Sequence, residues 1–201
     1  GMVYRVYVEK KAALANEARA LLEDLRAFLG IESLTGLRLF NRYDLEGISR
    51  ELFDYTVKTV LSEPQLDTVT DTLPQGDAVF AVEYLPGQYD QRADSASQCL
   101  QLLSPEQARP KVACAKVYAI EGGHVTGEMM DAVAHHLINP VEARQASMEK
   151  PETLEMTADV PDDVAVVPGF TQMSDKELST MVARMGMAMS AEDLCFCRDY
   201  F

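Results

Sequence analysis

The sequence has no apolar segment long enough to span a membrane and comparatively few basic residues. No apolar run approaches the roughly 18 residues that a spanning helix needs, and the N-terminus lacks the charged and then apolar pattern of a signal peptide. Lysine and arginine number 18 against 32 aspartate and glutamate, which gives a formal net charge of −14. Such a charge repels phosphate backbones and anionic lipid, so neither a nucleic-acid nor a membrane partner is expected. We therefore expect a cytoplasmic protein.

The motifs of the common enzyme classes are also absent. The sequence contains no glycine-rich phosphate loop, no His-Glu-x-x-His and no Gly-x-Ser-x-Gly. The last two cysteines are separated by a single residue, which turns them about 200° from each other on a helix, and no second pair lies near to complete a tetrahedral site. We therefore predict no catalytic, cofactor-binding or metal-binding residue in this chain. The cysteines are Cys99, Cys114, Cys195 and Cys197.

The main positive feature is an internal repeat. The strand pattern from Val3 to Val8 recurs from Val79 to Tyr84, so that Val6 corresponds to Val82. Residues 37–47 parallel residues 112–122, which aligns Leu39 with Cys114, and the helical patterns that follow also match. The spacing between the copies slips by one position only in loops. Three aligned pairs are identical: Tyr43 with Tyr118, Glu46 with Glu121, and Gly47 with Gly122.

Each copy shows the pattern strand, helix, strand, helix, which predicts an α+β fold. We expect two repeats, residues 2–76 and 77–144, each an antiparallel sheet with helices on one face, the two sheets packing as an intramolecular pseudo-dimer. The first helix carries a leucine stripe that ends at a capping glycine, Gly30. Copy one has a further strand within residues 66–73.

The character of the sequence changes after the second copy. Residues 145–201 are predicted to form an extended linker followed by a small linker domain with two short helices. Residues 141–169 are rich in acidic side chains and proline, which favours an extended segment on the surface. The two helices begin at capping boxes that start at Ser174 and Ser190.

Five stretches give the chain a resemblance to a known family. The most specific is Leu-Pro-Gly-Gln-Tyr-Asp-Gln-Arg-Ala-Asp-Ser-Ala at residues 85–96, and the likeness extends over essentially all of residues 2–201. The chain resembles the N-terminal region of phosphoribosylformylglycinamidine synthase, the glutamine-dependent amidotransferase of purine biosynthesis, in its long single-chain form. The other stretches are residues 6–11, 40–48, 138–144 and 186–193.

The resemblance implies both a fold and a role. In that family the N-terminal region is similar to a fused pair of PurS subunits, followed by a linker domain, ATP-binding synthetase domains and a glutaminase. The full-length enzyme converts formylglycinamide ribonucleotide, ATP and glutamine to formylglycinamidine ribonucleotide, ADP, phosphate and glutamate. The ATP, Mg²⁺ and glutaminase sites would lie beyond Phe201. The resemblance thus implies a non-catalytic scaffold without a cofactor of its own, whose partners are the synthetase and glutaminase domains of the same chain.

One loop distinguishes the second copy from the first. After the strand that ends at Tyr84, Pro86-Gly87 predicts a turn that leads into a helix. Arg92 and the helix N–H groups could hold a phosphate or a partner carboxylate, while Asp90 or Asp94 caps the helix or orients Arg92. Helix capping and exposed ion pairs alone would explain the same charges. The candidate interface or anion-binding residues are Gln88, Asp90, Arg92, Asp94 and Ser95.

Two other functions remain open at this stage. Paired α+β repeats could form a free-standing regulatory module that binds a small molecule at their interface. Alternatively, a cysteine could act as a nucleophile if the fold joined Cys99 to His135 or His136, although a helix dipole already accounts for histidines at a helix C-terminus. A thiol enzyme requires a cysteine with a depressed pKa.

Overall fold

The computed structural model describes residues 2–122 and 126–155. Within these residues the chain forms an α+β fold with six strands and four α-helices. A single 3₁₀ turn precedes the first helix, and a π-helical turn, Val57–Leu61, extends the second. The elements in chain order are β1 (Tyr4–Lys10), α1 (Asn16–Leu29), β2 (Leu34–Glu46), α2 (Arg50–Thr56), β3 (Asp67–Thr70), β4 (Ala78–Tyr84), α3 (Gln91–Leu103), β5 (Lys111–Gly122), α4 (Gly127–Leu137) and β6 (Ala143–Ala146).

All six strands form one antiparallel sheet in the order β3-β1-β2-β5-β4-β6. The expectation of two separate sheets is therefore wrong. The reason is the long ladder between β2 and β5, which runs from Leu34 opposite Gly122 to Glu46 opposite Lys111. This pairing satisfies backbone N–H and C=O groups that would otherwise lie on two open sheet edges.

The four helices pack on one face of the sheet. Alternate residues of the central strands point to this face, because side chains along a strand alternate between its two sides. Val6, Tyr43 and Leu45 pack there with α2 and α3. Leu37 and Ile120 pack with α1 and α4 in a second cluster. As the sequence predicts, α1 ends at Gly30, whose positive φ of 64° is the left-handed conformation typical of a helix C-terminus.

The opposite face of the sheet is also buried. Tyr7, Phe40, Ala81 and Val117 form its apolar cluster, and each is exposed by no more than 3%. Residues 147–155, which we call the strap, run along this face after β6. Two strap carbonyls accept hydrogen bonds from sheet arginines, Ser147 O from Arg42 Nη1 at 2.8 Å and Met148 O from Arg5 Nη1 at 2.9 Å.

The sheet reaches further along the chain than the sequence indicated. Residues 143–146 form β6, which pairs with β4 from Tyr84 opposite Ala143 to Ala81 opposite Ala146. The sequence assigned part of this segment to the linker, because Ala-Arg-Gln-Ala lacks the apolar alternation that marks a strand. The helices expected from Ser174 and Ser190, together with Cys195 and Cys197, lie outside the described residues.

A buried ion pair connects the first two strands beneath the strap. Arg5 Nε and Nη2 donate to the two carboxylate oxygens of Asp44 at 2.7 and 2.8 Å. The two side chains are only 7% and 5% exposed. This is the two-pronged geometry that makes arginine–carboxylate pairs strong, and removing one member would leave the other charge buried alone.

We predict that Asp44→Asn destabilises the protein by about 3 kcal/mol, because it leaves the buried Arg5 guanidinium without a carboxylate. The free energy of unfolding should be measured by urea denaturation. Asp54→Asn is the matched control, since Asp54 pairs with Arg50 on the surface and the two side chains are 53% and 67% exposed. The control should cost no more than about 1 kcal/mol. Equal losses in the two variants would show that burial of the pair contributes nothing.

Candidate functional site

The loop singled out in the sequence forms a turn at the end of β4. Gly87 has a φ of 87°, and Gln88 N donates to Leu85 O at 3.0 Å. The side chain of Gln88 is exposed. Asp90 is the N-cap of α3, and its carboxylate accepts a hydrogen bond from Ala93 N at 3.1 Å. Asp90 thus satisfies one of the free N–H groups that begin the helix.

Asp94 and Ser95 differ in their hydrogen bonds and in their burial. The Asp94 carboxylate accepts hydrogen bonds from Arg109 Nη2 at 2.6 Å, from Gln98 Nε2 at 2.8 Å and from the Tyr89 hydroxyl at 3.1 Å. Ser95 is 2% exposed, and its Oγ has no hydrogen-bond partner within the described residues. Asp94 therefore stabilises the first turn of α3, and Ser95 faces the protein interior.

Arg92 points from the first turn of α3 toward the centre of the sheet. Its Nη1 donates to the hydroxyl of Tyr43 at 3.1 Å, which joins α3 to β2. Burial raises the pKa of Tyr43 to about 12, and the nearby Arg92 charge opposes that rise. The tyrosine is therefore neutral at physiological pH, and its buried hydroxyl accepts the hydrogen bond from Arg92.

Two cavities flank the centre of the sheet on its helix-bearing face. They measure about 720 and 420 Å³, and both are lined by Asn41, Arg92 and Lys116. Asn41 and Lys116 lie opposite each other in the β2–β5 ladder. Lys116 Nζ also pairs with Glu17 Oε1 at 2.5 Å, at the start of α1. We call the three shared residues the central polar group.

The central polar group provides cationic and amide donors but no activated nucleophile. Cys114 lines the smaller cavity, and burial raises the pKa of its thiol well above the ordinary value. Cys99 belongs to the core beneath α2 and α3, whereas His136 lies beside α1, where its Nε2 is 3.1 Å from Asp24 Oδ2. The structure therefore does not bring Cys99 and His136 together. In the described part of the chain, no cluster of three or more metal-ligating side chains occurs.

Sequence reasoning found Arg92 but missed Asn41, Tyr43 and Lys116 as members of this site. A signal for two of them was present, because the alignment of the copies that matches Leu39 with Cys114 also matches Asn41 with Lys116. Tyr43 was noted only as an identity between the two copies. Their meeting depends on β2 pairing with β5, which strand alternation alone does not specify.

Comparisons with known proteins do not add an identification. No known protein family matches the chain, and no curated protein matches it either. Over residues 2–122 and 126–155, none of the helices combines the length and apolar character needed to cross a membrane.

Tyr43 predicts a pH dependence of stability. Because its pKa is about 12 in the folded state against 10.0 ordinarily, the folded state retains a proton that the unfolded state loses between these values. The free energy of unfolding should fall as pH rises through this window, and Tyr43 should account for about 1 kcal/mol by about pH 11. Urea unfolding at about pH 9 and 11 should show a smaller loss for Tyr43→Phe than for the unmodified protein. Identical losses would contradict the assignment.

Proposed function

We propose that residues 2–144 are an internally duplicated scaffold that forms the N-terminal interface region of a phosphoribosylformylglycinamidine synthase. The observation that carries the duplication is the register of the central ladder. Asn41 and Lys116 are counterparts in the two copies, and they lie opposite each other near the middle of the β2–β5 ladder. The proposed pseudo-twofold axis would pass between these two residues.

The outer strands support the same arrangement with one adjustment. Val8 lies opposite Asn41, and Val82 lies opposite Lys116. Because Asn41 aligns with Lys116, Val82 is the counterpart of Val8, and Phe80 rather than Val82 is the counterpart of Val6. The register therefore shifts the alignment of β1 with β4 by two residues, one full strand period, from the alignment that the sequence indicates. At the edges, β3 pairs with β1 and β6 pairs with β4.

Helix packing fits the duplication as well. α1 contacts α4, and α3 contacts the π-helical end of α2. Each contact joins the first helix of one copy to the second helix of the other, so exchanging the copies exchanges the two contacts. The halves are interlocked through both the sheet and the helices, which supports the proposal that they are two fused copies of one unit.

The proposed role combines this architecture with the family resemblance. The full-length enzyme would be an ATP-dependent C–N ligase of the cytoplasm, and ATP, Mg²⁺ and glutamine would bind beyond Phe201. Residues 2–76 and 77–144 would form the scaffold, and residues 145–201 would lead to the synthetase domains. The region itself would be inactive, and its partners would be the synthetase and glutaminase domains of the same chain.

The surface around the 85–90 loop is the proposed contact with those domains. Leu85 N donates to Glu142 O at 2.9 Å and so holds the loop against the segment before β6. Three large side chains stand exposed in this area, Tyr84 at 47%, Tyr89 at 65% and Val141 at 77%. Aromatic side chains among polar neighbours are typical of protein interfaces.

The two cavities beside the central polar group favour a second candidate, a regulatory module that binds an anionic small molecule. It differs from the first candidate in what it requires. A scaffold must associate with the rest of the enzyme, whereas a free-standing module needs only saturable binding of a metabolite. Sequencing the gene downstream of the Phe201 codon also separates them, because only the scaffold requires synthetase and glutaminase sequence to follow.

The scaffold proposal predicts association without turnover. The whole chain from Gly1 to Phe201 should bind a synthase that lacks its own N-terminal region, with a Kd of tens of micromolar or tighter, as measured by calorimetry. The purified chain alone should neither hydrolyse glutamine nor consume ATP. Failure to associate, or turnover by the purified chain, would contradict the scaffold role.

Arg92 provides a test within the full-length enzyme. Arg92→Ala should lower amidine formation per glutamine hydrolysed by about tenfold, since a hydrogen bond to a charged group contributes about 1.5–3 kcal/mol. Arg50→Ala is the matched control, because Arg50 makes an exposed ion pair with Asp54 on α2. The ratio of product to glutamate is the measurement. An unchanged ratio in a folded Arg92→Ala enzyme would limit Arg92 to its structural bond with Tyr43.

A further inference from the structure

A third cavity lies on the face of the sheet opposite the described helices, apart from the central polar group. It measures about 480 Å³, a size within the usual range for small-molecule sites. Ala113 and Ala146 contribute to its lining, and their small side chains leave room above the strands. The strap closes one side of the cavity through Ser147 and Leu154.

Three arginines line this cavity, and two of them have carboxylate partners. Arg5 is paired with Asp44, and Arg144 Nε lies 2.9 Å from Glu83 Oε2. The third, Arg42, makes no ion pair within the described residues. Glu149 also lines the cavity, but it lies in an exposed part of the strap, and its backbone carbonyl accepts from Arg5.

The register explains how Arg42 comes to be buried. Arg42 lies between Tyr7 of β1 and Ala115 of β5 in the ladders of β2. Those neighbours and the strap leave it only 5% exposed. Burial, and then the adjacent positive charge of Arg5, lower the pKa of Arg42, whereas Asp44 and Glu83 act in the opposite direction. The guanidinium is therefore a strongly desolvated charge without a direct counter-ion.

Within the described residues, most N–H donors of Arg42 have no hydrogen-bond partner. A guanidinium carries five N–H donors, and the structure gives Arg42 one bond, from Nη1 to Ser147 O. Holding one strap carbonyl requires only a neutral donor. A buried charge is costly unless it is paired, and a planar guanidinium fits two oxygens of a carboxylate or phosphate.

We propose that Arg42 anchors a binding site for the phosphate or carboxylate group of a small metabolite. The anionic group pairs with the Arg42 guanidinium, and the remaining volume between the strap and β5 receives the rest of the ligand. This site is independent of the proposed scaffold role, because it depends only on the charges and the cavity of this face.

The test is a titration of the whole chain from Gly1 to Phe201 with inorganic phosphate and, separately, with acetate, at constant ionic strength. Calorimetry and the ¹⁵N–¹H signal of the Arg42 Nε group report binding. We expect saturation with a Kd of a few millimolar or tighter for at least one anion. Saturation by phosphate alone indicates a phosphorylated ligand, and saturation by acetate alone indicates a carboxylate ligand. Saturation by both indicates that the site recognises the oxygen atoms common to the two anions.

Three variants locate the binding. Arg42→Met should weaken the anion affinity at least tenfold, and Arg42→Lys should weaken it less, because lysine keeps the charge but not the planar pair of donors. Arg38→Met is the control, since Arg38 is an exposed arginine of the same strand that pairs with Glu9. If Arg42→Met does not fold, the Arg42→Lys comparison and the Nε signal of the unmodified chain decide the question. No saturation by about 50 mM, or equal weakening by Arg38→Met, would overturn the proposal.

Discussion

The pairing of β2 with β5 is the interaction on which the rest of the structure depends. It joins strands that lie far apart in the chain, and it turns what would be two three-stranded sheets into one sheet of six. Every helix contact across the middle follows from it, as do the positions of Asn41 and Lys116. Contacts of such high sequence separation require a large loss of chain entropy, which we expect to make formation of this ladder a late and cooperative step in folding.

Alternation along the strands explains both what the sequence predicted and where it was wrong. The pattern identified β1, β2, β4 and β5, since apolar residues at every second position mark a half-buried strand. A period of two cannot distinguish one alignment from another that is shifted by a full period, because both keep the same side chains on the same face. Under the proposed duplication, the sequence matched Val82 with Val6, whereas the strand register would match Phe80 with Val6. Alternation also gives no information about which strands become neighbours, so one sheet and two sheets were equally compatible with it.

The candidate sites show a similar division between local and distant effects. The capping role of Asp90 could be anticipated, because an aspartate before a helix bonds to an N–H only three residues away. The partner of Arg92 could not, since Tyr43 lies on another strand. Arg42 could not be identified as a site residue from the sequence for a further reason. Arginine is rarely buried, so composition places it on the surface, and only the combined packing of β1, β5 and the strap removes it from water.

The strap has a mechanical consequence. Its far end is held where the carboxylate of Glu46 accepts hydrogen bonds from Thr153 Oγ1 and Leu154 N, and its near end continues directly into the edge strand β6. Tension applied to the chain beyond residue 155 would therefore meet the ion pair of Glu155 with Lys111 and the Glu46 bonds first, then the two arginines, and only afterwards the β4–β6 ladder. Bonds arranged in such a series break one at a time, as in peeling. The strap thus shields the β6 edge of the sheet from pulling forces, because β1, β2 and β5 take the load before β6 is separated from β4.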